Sequence, residues 1–219
     1  MRRRKKKGSD IRLLSYTDYV VRDNVENFKG KWNEKFGNDN PIHAEFGTGR
    51  GKFITTLAKN NPNTNYIAME LKEEVLLKGV EKANEANLQN IIFIWGDVDR
   101  ILDYFEDKEL SRVFINFCDP WPKTRWSKRR LTHTNYLNKY YKILNDNGEI
   151  HFKSDNEKLF EFTLNEICIN PWNLKNISLD LANNDTFENV TTEYEDKFIS
   201  QGLKIYRCEA QKVISNQKL

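Results

Sequence analysis

Phe117-Cys118-Asp119-Pro120-Trp121-Pro122-Lys123 sets a carboxylate and an indole on a backbone stiffened by two prolines. Pro120 and Pro122 lack an N–H and fix their own φ, so neither a sheet ladder nor a regular helix can run through them. Val113, Phe114, Ile115 and Phe117 read as a buried strand. Asp119 and Trp121 are therefore expected on a rigid corner at that strand's C-terminal end, the edge of an open α/β sheet where ligands bind. A carboxylate beside an aromatic face suits a flat, nitrogen-rich ring. The plainer alternative is a capped strand end with an exposed loop tryptophan.

A second cluster begins at Glu45-Phe46-Gly47-Thr48-Gly49-Arg50-Gly51. Glycines after a strand and before a helix permit a tight turn and close backbone approach to a ligand. The spacing departs from the dinucleotide fingerprint: the third glycine, Gly51, comes one residue early and Lys52 stands where that fingerprint has glycine. Glu70 and Asp97 end or follow the next two strands, and either can equally be a cap for the helix behind it. Together Glu45, Glu70, Asp97 and Asp119 repel a polyphosphate but suit ribose, adenine and positive charge. S-adenosylmethionine fits that description, Glu70 accepting the ribose hydroxyls, and the joint pattern points to a methyltransferase.

The elements that must position these residues alternate. Val21, Val25, Phe28, Trp32 and Phe36 recur at three or four and predict one amphipathic helix, ended by Gly37 to Pro41. Strands are expected at Ile42 to Phe46, Tyr66 to Glu70, Ile91 to Trp95, Val113 to Cys118 and Glu149 to Lys153. Helices are expected from Lys52 to Lys59, up to Ala86, around Tyr136 to Leu144, and after a Ser154–Glu157 capping box. Leu174 to Leu181 and Leu203 to Val213 read as an antiparallel edge hairpin with a long loop and no helix between. The expected fold is an α/β, Rossmann-like, seven-stranded methyltransferase sheet: mostly parallel, an antiparallel C-terminal edge hairpin, helices on both faces. Residues 1–10 read as a disordered basic arm and 11–219 as a single domain.

The 219 residues suffice for one well-buried α/β domain, and no apolar run approaches the roughly 18 residues that span a bilayer. No apolar segment follows the basic start, which argues against a signal peptide. Cys118, Cys168 and Cys208 are odd in number and lack metal-ligand spacing, and are expected to be buried free thiols of a cytoplasmic protein. No metal is expected. His43, His133 and His151 are scattered and are assigned no chemistry. Net charge is +3, yet Arg2 to Lys7 hold six cations and Lys123 to Arg130 five, so the remainder is acidic. Such clusters are either solvated surface or a nucleic-acid track.

Glu45-Phe46-Gly47-Thr48-Gly49, Asp119-Pro120-Trp121-Pro122-Lys123, Lys128-Arg129-Arg130 and Thr192-Glu193-Tyr194-Glu195 together resemble the tRNA (guanine-N7)-methyltransferase family, over about Arg12 to Arg207. The resemblance implies methylation, from S-adenosylmethionine, of N7 on a guanosine in the tRNA variable loop, position 46. By motif it implies that Glu45, Gly47, Gly49, Glu70, Asp97 and Asp119 bind cofactor, with Asp119 also catalytic. Lys123, Asp155 and Thr192, Glu193, Tyr194 and Glu195 would bind substrate. Arg125, Trp126, Ser127, Lys128, Arg129 and Arg130 would contact RNA. The partner is tRNA, with no membrane and no metal; monomer and homodimer both stay open.

Guanine N7 has a free lone pair, so no general base need precede attack on the sulfonium methyl. Methylation makes the base cationic and its N1–H and N2–H2 stronger donors, which carboxylates at Asp119, Asp155 or Glu195 would then hold more tightly. The target base must be unstacked, and Trp121, Trp126 or Tyr194 can stack on it. Asp155 can also be read as part of a helix-capping turn, and Thr192 to Glu195 as a polar loop. Two other functions fit part of the pattern: an exocyclic-amine methyltransferase, whose Asn/Asp-Pro-Pro-aromatic corner Trp121 interrupts, and a non-catalytic RNA-binding subunit.

Overall fold

The computed structural model describes residues 8–184 and 189–214, and these fall into two compact units, Met1–Phe105 and Glu106–Leu219. Of the expected basic arm, residues 1–7 lie outside the described residues. Ser9, which is buried, and Asp10 open a helix, α1 (Ser9–Leu14).

In the first unit α1 precedes β1 (Val20–Val21), α2 (Trp32–Phe36), β2 (Ile42–Phe46), α3 (Lys52–Asn60) and β3 (Asn65–Glu70). Then come α4 (Glu73–Glu85), β4 (Ile91–Trp95) and α5 (Ile101–Tyr104). Its strands run parallel in the order β1-β4-β3-β2. β2, β3 and β4 are buried along nearly their whole length, as strands covered on both faces must be. The single helix expected from Val21 to Phe36 is instead a strand, a 3-10 turn at Val25–Phe28 and α2. Asn24 at φ 56 and Gly30 at φ 73 take left-handed conformations that no helix can run through. The apolar spacing still marks the inward side: Val25 and Trp32 are buried, and the Trp32 indole donates to the Tyr104 carbonyl at 2.9 Å.

The second unit contains β5 (Leu110–Asn116), α6 (Thr134–Ile143), β6 (Leu144–Ser154), α7 (Glu157–Cys168), β7 (Trp172–Ser178), α8 (Glu193–Ile199) and β8 (Tyr206–Lys212). Its strand order is β5-β6-β8-β7, parallel between β5 and β6 and antiparallel from β6 onward. The mostly parallel α/β plan with an antiparallel C-terminal pair is as expected. Eight strands appear among the described residues where seven were expected, the additional one being the two-residue β1.

Two further expectations change. The span between β7 and β8 holds a 3-10 turn at Leu181–Asn183 and α8, not a helix-free loop. The cap of α7 is Asn156, whose Oδ1 accepts from Leu159 N at 2.8 Å, while Ser154 Oγ only accepts from Asn156 N at 3.0 Å. Among the described residues no helix is long and apolar enough to cross a membrane.

Candidate functional site

In the first unit the chain leaves β2 through Gly47 at φ 81, Gly49 at φ 59 and Gly51 at φ 75. Gly47 N and Thr48 N both donate to the Met69 carbonyl, at 2.9 and 3.0 Å, which pins the turn to the end of β3. A Cβ on Gly47 or Gly49 would meet nothing within 4 Å, so these glycines supply left-handed backbone and leave open space over the loop. Gly51 has another task. A Cβ there would lie 2.6 Å from Gly79 Cα in α4, so the early third glycine lets α3 and α4 approach.

Glu45 is buried and its Oε2 accepts from Thr48 Oγ1 at 2.6 Å, bracing the loop from within. Glu70 Oε2 accepts from Gly49 N at 3.2 Å, and its Oε1 from Leu71 N and Lys72 N at 3.0 Å each. Asp97 is exposed, and its Oδ1 accepts from Asp99 N at 3.0 Å, capping a 3-10 turn at Val98–Arg100. Both residues thus hold local backbone; Glu70 Oε2 and both oxygens of Asp97 keep a lone pair for a ligand hydroxyl or amine, while Glu70 Oε1 is filled by its two backbone donors. The five residues Glu45, Gly47, Gly49, Glu70 and Asp97 all lie at or just beyond the C-terminal ends of parallel strands, the ligand edge of such sheets.

In the second unit β5 ends at Asn116, and the corner that follows is bent by two aromatic residues in left-handed backbone, Phe117 at φ 52 and Trp121 at φ 41. Such conformations are costly for bulky residues and persist where the surroundings impose them. Phe117 N donates to the Lys153 carbonyl at 2.9 Å. Asp119, between the two bends, is exposed. Trp121 meets Trp126 edge-on at 5.9 Å between ring centroids. The ammonium of Lys123 and the guanidinium of Arg125 lie 4.9 and 5.2 Å from the Trp126 ring, and the Arg129 guanidinium 5.0 Å from that of Trp121. Lys123, Arg125, Lys128 and Arg129 are exposed, whereas Trp126, Ser127 and Arg130 are half-buried. Arg130 hydrogen-bonds the corner's backbone, donating from Nε to Pro120 O at 3.0 Å and from Nη2 to Trp121 O at 3.1 Å.

The Thr192-to-Glu195 motif divides by depth. Thr192 and Glu195 form a reciprocal capping box at the start of α8, and Glu195 is fully buried. Its carboxylate receives Lys153 Nζ at 2.9 Å on Oε2 and Asn189 Nδ2 at 2.5 Å on Oε1. It therefore builds the segment and faces no solvent. Tyr194 is 64% exposed, and its ring stacks with Phe117 at 6.5 Å and Phe198 at 6.3 Å. Glu193 is half-buried beside it, and Asp155 is exposed after β6, outside the capping bonds of α7. Asp119, Lys123, Asp155 and Tyr194 thus offer accessible groups, while Glu195 supports them.

Lys153, read from the sequence only as the end of the strand Glu149 to Lys153, carried no expected role. It is 6% exposed, and its Nζ also donates to Asn189 Oδ1 and the Val190 carbonyl, at 2.8 and 2.9 Å. A lysine so deep requires partners, and here they tie the end of β6 to the start of α8. Burial pushes the thiol of Cys118 at the corner, and that of Cys208 in β8, up to about 12, which disfavours a thiolate at either. Cys118 is half-buried and Cys168, against expectation, is exposed; it lies in the last turn of α7, where the chain leaves the core. Among the described residues Glu149, His151 and Glu209 bring potential ligand atoms within 4.8 Å of one another. Their carboxylates already pair with Arg112, Lys175 and Arg207, so the cluster reads as a charge ladder across the sheet.

A family model described as "Putative methyltransferase" matches residues 39–208. The chain is 73% identical over 212 residues to the tRNA (guanine-N(7)-)-methyltransferase of Clostridioides difficile (strain 630), covering 97% of this chain and 99% of that one. It is 46% identical over 215 residues to the protein of the same name in Brevibacillus brevis (strain 47), covering 98% and 100%. The crystal structure of the 16S rRNA methyltransferase KamB superposes with a TM-score of 0.65 at 11% identity, covering 84% of this chain and 94% of that one, a likeness of fold. With relatives this similar over nearly their full length, the chain belongs to the tRNA (guanine-N(7)-)-methyltransferase family.

Proposed function

We propose that this enzyme methylates N7 of guanosine 46 in the variable loop of tRNA, using S-adenosylmethionine, and that its two units together form one methyltransferase domain spanning 11–219. The observation that carries the reading is the corner after β5, where exposed Asp119 sits between two imposed left-handed residues beside an indole–cation surface. The glycine loop fits the cofactor: open space over Gly47 and Gly49, with Glu70 already oriented by Gly49 N, suits a ribose better than a phosphate chain.

S-adenosylmethionine, when bound, supplies an electrophilic methyl on a sulfonium. Glu70 would accept its ribose hydroxyls, Asp97 its adenine amine, and Glu45, through Thr48, would keep the loop in shape. Guanine N7 forms the new C–N bond as the C–S electron pair returns to sulfur, so this chain need not take a proton before transfer. Its task is to orient and to answer positive charge. Holding both reactants in line can supply roughly 7–11 kcal/mol of the barrier. Asp119 and Asp155 are the accessible carboxylates for the donor edge of the base, and their bonds strengthen as the base becomes cationic. Tyr194 offers an exposed ring for stacking, and Lys123, Arg125, Lys128 and Arg129 offer charge for the phosphates. A tRNA substrate and free thiols suit a reducing, cytoplasmic setting.

The test is transfer of labelled methyl to an unmodified tRNA transcript, with nucleosides resolved by mass spectrometry. The expected product is 7-methylguanosine, lost when guanosine 46 is replaced by adenosine. N6-methyladenosine or N2-methylguanosine would make it an exocyclic-amine enzyme, and absence of S-adenosylmethionine binding in calorimetry would make it a binding subunit. Asp119→Ala should lower turnover by at least about 100-fold, the scale of removing an electrostatic transition-state contact, with tRNA affinity retained.

A further inference from the structure

We propose that Arg130 is a positioning residue for methyl transfer, its guanidinium clamping the carbonyls of Pro120 and Trp121 so that the backbone presents Asp119, and that it is not a phosphate ligand. The inference rests on the role given to Asp119 above.

The corner has an unusual backbone problem. Pro120 and Pro122 donate no hydrogen bonds, so no ladder or helix can hold the segment. Trp121 between them lies at φ 41, outside the region an aromatic residue prefers. Something external must hold it. Arg130 meets that need with two parallel donors from one rigid fork, Nε to Pro120 O at 3.0 Å and Nη2 to Trp121 O at 3.1 Å. The guanidinium carbon also lies 4.3 Å from the Phe162 ring centre in α7, so the fork is held from behind as it holds the corner in front. A planar cation that both stacks and donates twice is specific to arginine; a lysine ammonium reproduces neither the fork nor the stacking.

Arg130 also ends the 3-10 turn Thr124–Arg129, with its own N–H donated to Ser127 O at 3.0 Å. Arg130 thus ties the end of that turn to the corner's backbone, while Arg129 meets the corner only through the Trp121 ring. In sequence Arg130 is the third member of a basic triplet; in the structure Lys128 and Arg129 are exposed while Arg130 is half-buried and engaged inward.

Arg130→Ala and Arg130→Lys are compared with the Lys128→Ala/Arg129→Ala double variant. At saturating tRNA, Arg130→Ala should turn over about 10–100-fold more slowly, the scale expected when reacting groups shift by an ångström or less. Its tRNA Kd should stay within about twofold, and the slope of log Kd against log salt should not change, since no phosphate contact is lost. Arg130→Lys should fall between, and guanidinium ion at non-denaturing concentration should restore part of the turnover of Arg130→Ala but not of Asp119→Ala. Hydrogen exchange of the 117–124 peptide should quicken in Arg130→Ala and stay unchanged in a Lys128→Ala single variant. A weaker Kd with a slope reduced by about one unit, at full turnover, would make Arg130 a phosphate ligand. If Arg130→Ala does not fold, wild-type turnover in Arg130→Lys overturns the proposal. Should the wild-type protein make no 7-methylguanosine, the functional reading falls on its own, while unchanged exchange at 117–124 would still refute the clamp.

Discussion

Glu195, expected from the sequence among the substrate-binding residues, is buried and hydrogen-bonded within the protein. It has no exposed surface, and Lys153, Asn189 and the Thr192 backbone fill three of its four lone pairs. The pair it forms with Lys153 is buried on both sides, so removing one partner strands a charge, at a cost of about 3–5 kcal/mol. Lys153→Met should accordingly lower Tm by on the order of 10 °C in a chain of this size. Adding Glu195→Gln should recover part of that loss, because the second change removes the charge that the first left uncompensated. Thermal melts of the two single variants and the double one provide the cycle, and strictly additive losses would show that the two groups are not coupled. The single Lys153→Met change should also reduce turnover, since the Lys153 ammonium holds the start of α8, whose Tyr194 stacks on Phe117.

At the level of elements, β6 and β8 are joined by a ladder of charge with His151 in the middle. His151 stands opposite Glu209 across the antiparallel pair, and its Nε2 lies 3.0 Å from Glu149 Oε2. Arg112 faces Glu149 from β5, Lys175 reaches it from β7, Arg207 pairs with Glu209, and Phe114 packs edge-on against the imidazole. Burial holds the His151 pKa below its usual value, against the pull of Glu149. The hydrogen bond from His151, then those from its cationic neighbours, hold the Glu149 carboxyl well below the usual carboxylate range. Both shifts act in one direction. Between its depressed folded pKa and about 6.5, the unfolded chain protonates His151 and the folded one does not, so stability falls as pH falls through that window. Glu149 extends the loss below about 4.3. Urea unfolding at pH 7.5, 6.5 and 5.5 should show this decline, and His151→Gln should flatten it; an equal slope in the variant would shift the cause elsewhere. How far such features can be read in advance depends on their physical origin. The continuous apolar runs of β2, β3 and β4 announce themselves because both faces are covered. β1 does not: two residues become a strand because β4 offers an edge, with Phe93 N donating to Tyr19 O at 2.7 Å. α8 has only seven residues, three of them acidic in its first turn, and no long apolar period; Thr192 and Glu195 were its legible signal, as a capping box. The site residues are legible as types, whereas their depth is not, which is why Glu195 and Arg130 resemble their exposed neighbours in sequence.

Across the whole molecule the relevant quantity is the distribution of charge. A net charge of +3 on 219 residues predicts weak attraction to a polyanion if spread evenly. Here six cations precede residue 8 and five lie in the corner's basic run, on an otherwise acidic chain. Acidic surface repels RNA wherever the basic runs do not meet it, so attraction to a polyanion is concentrated on those runs. Each phosphate neutralised by a lysine or arginine releases counterions, giving log Kd a slope of nearly one unit in log salt. Lys128 and Arg129 are exposed, Arg129 beside the Trp121 ring, so they should each account for such a contact. The Lys128→Ala/Arg129→Ala variant should bind tRNA more weakly at low salt, with a slope flatter by about two units, and the two affinities should converge as salt rises. Deleting residues 1–7 should act the same way, weakening affinity and flattening the slope while turnover at saturating tRNA holds. Filter-binding or fluorescence titrations from 50 to 300 mM salt would distinguish the contributions. A slope unmoved by the double substitution would mean that Lys128 and Arg129 do not lie on RNA, and would leave Lys123, Arg125 and the first seven residues as the cations that steer this enzyme to tRNA.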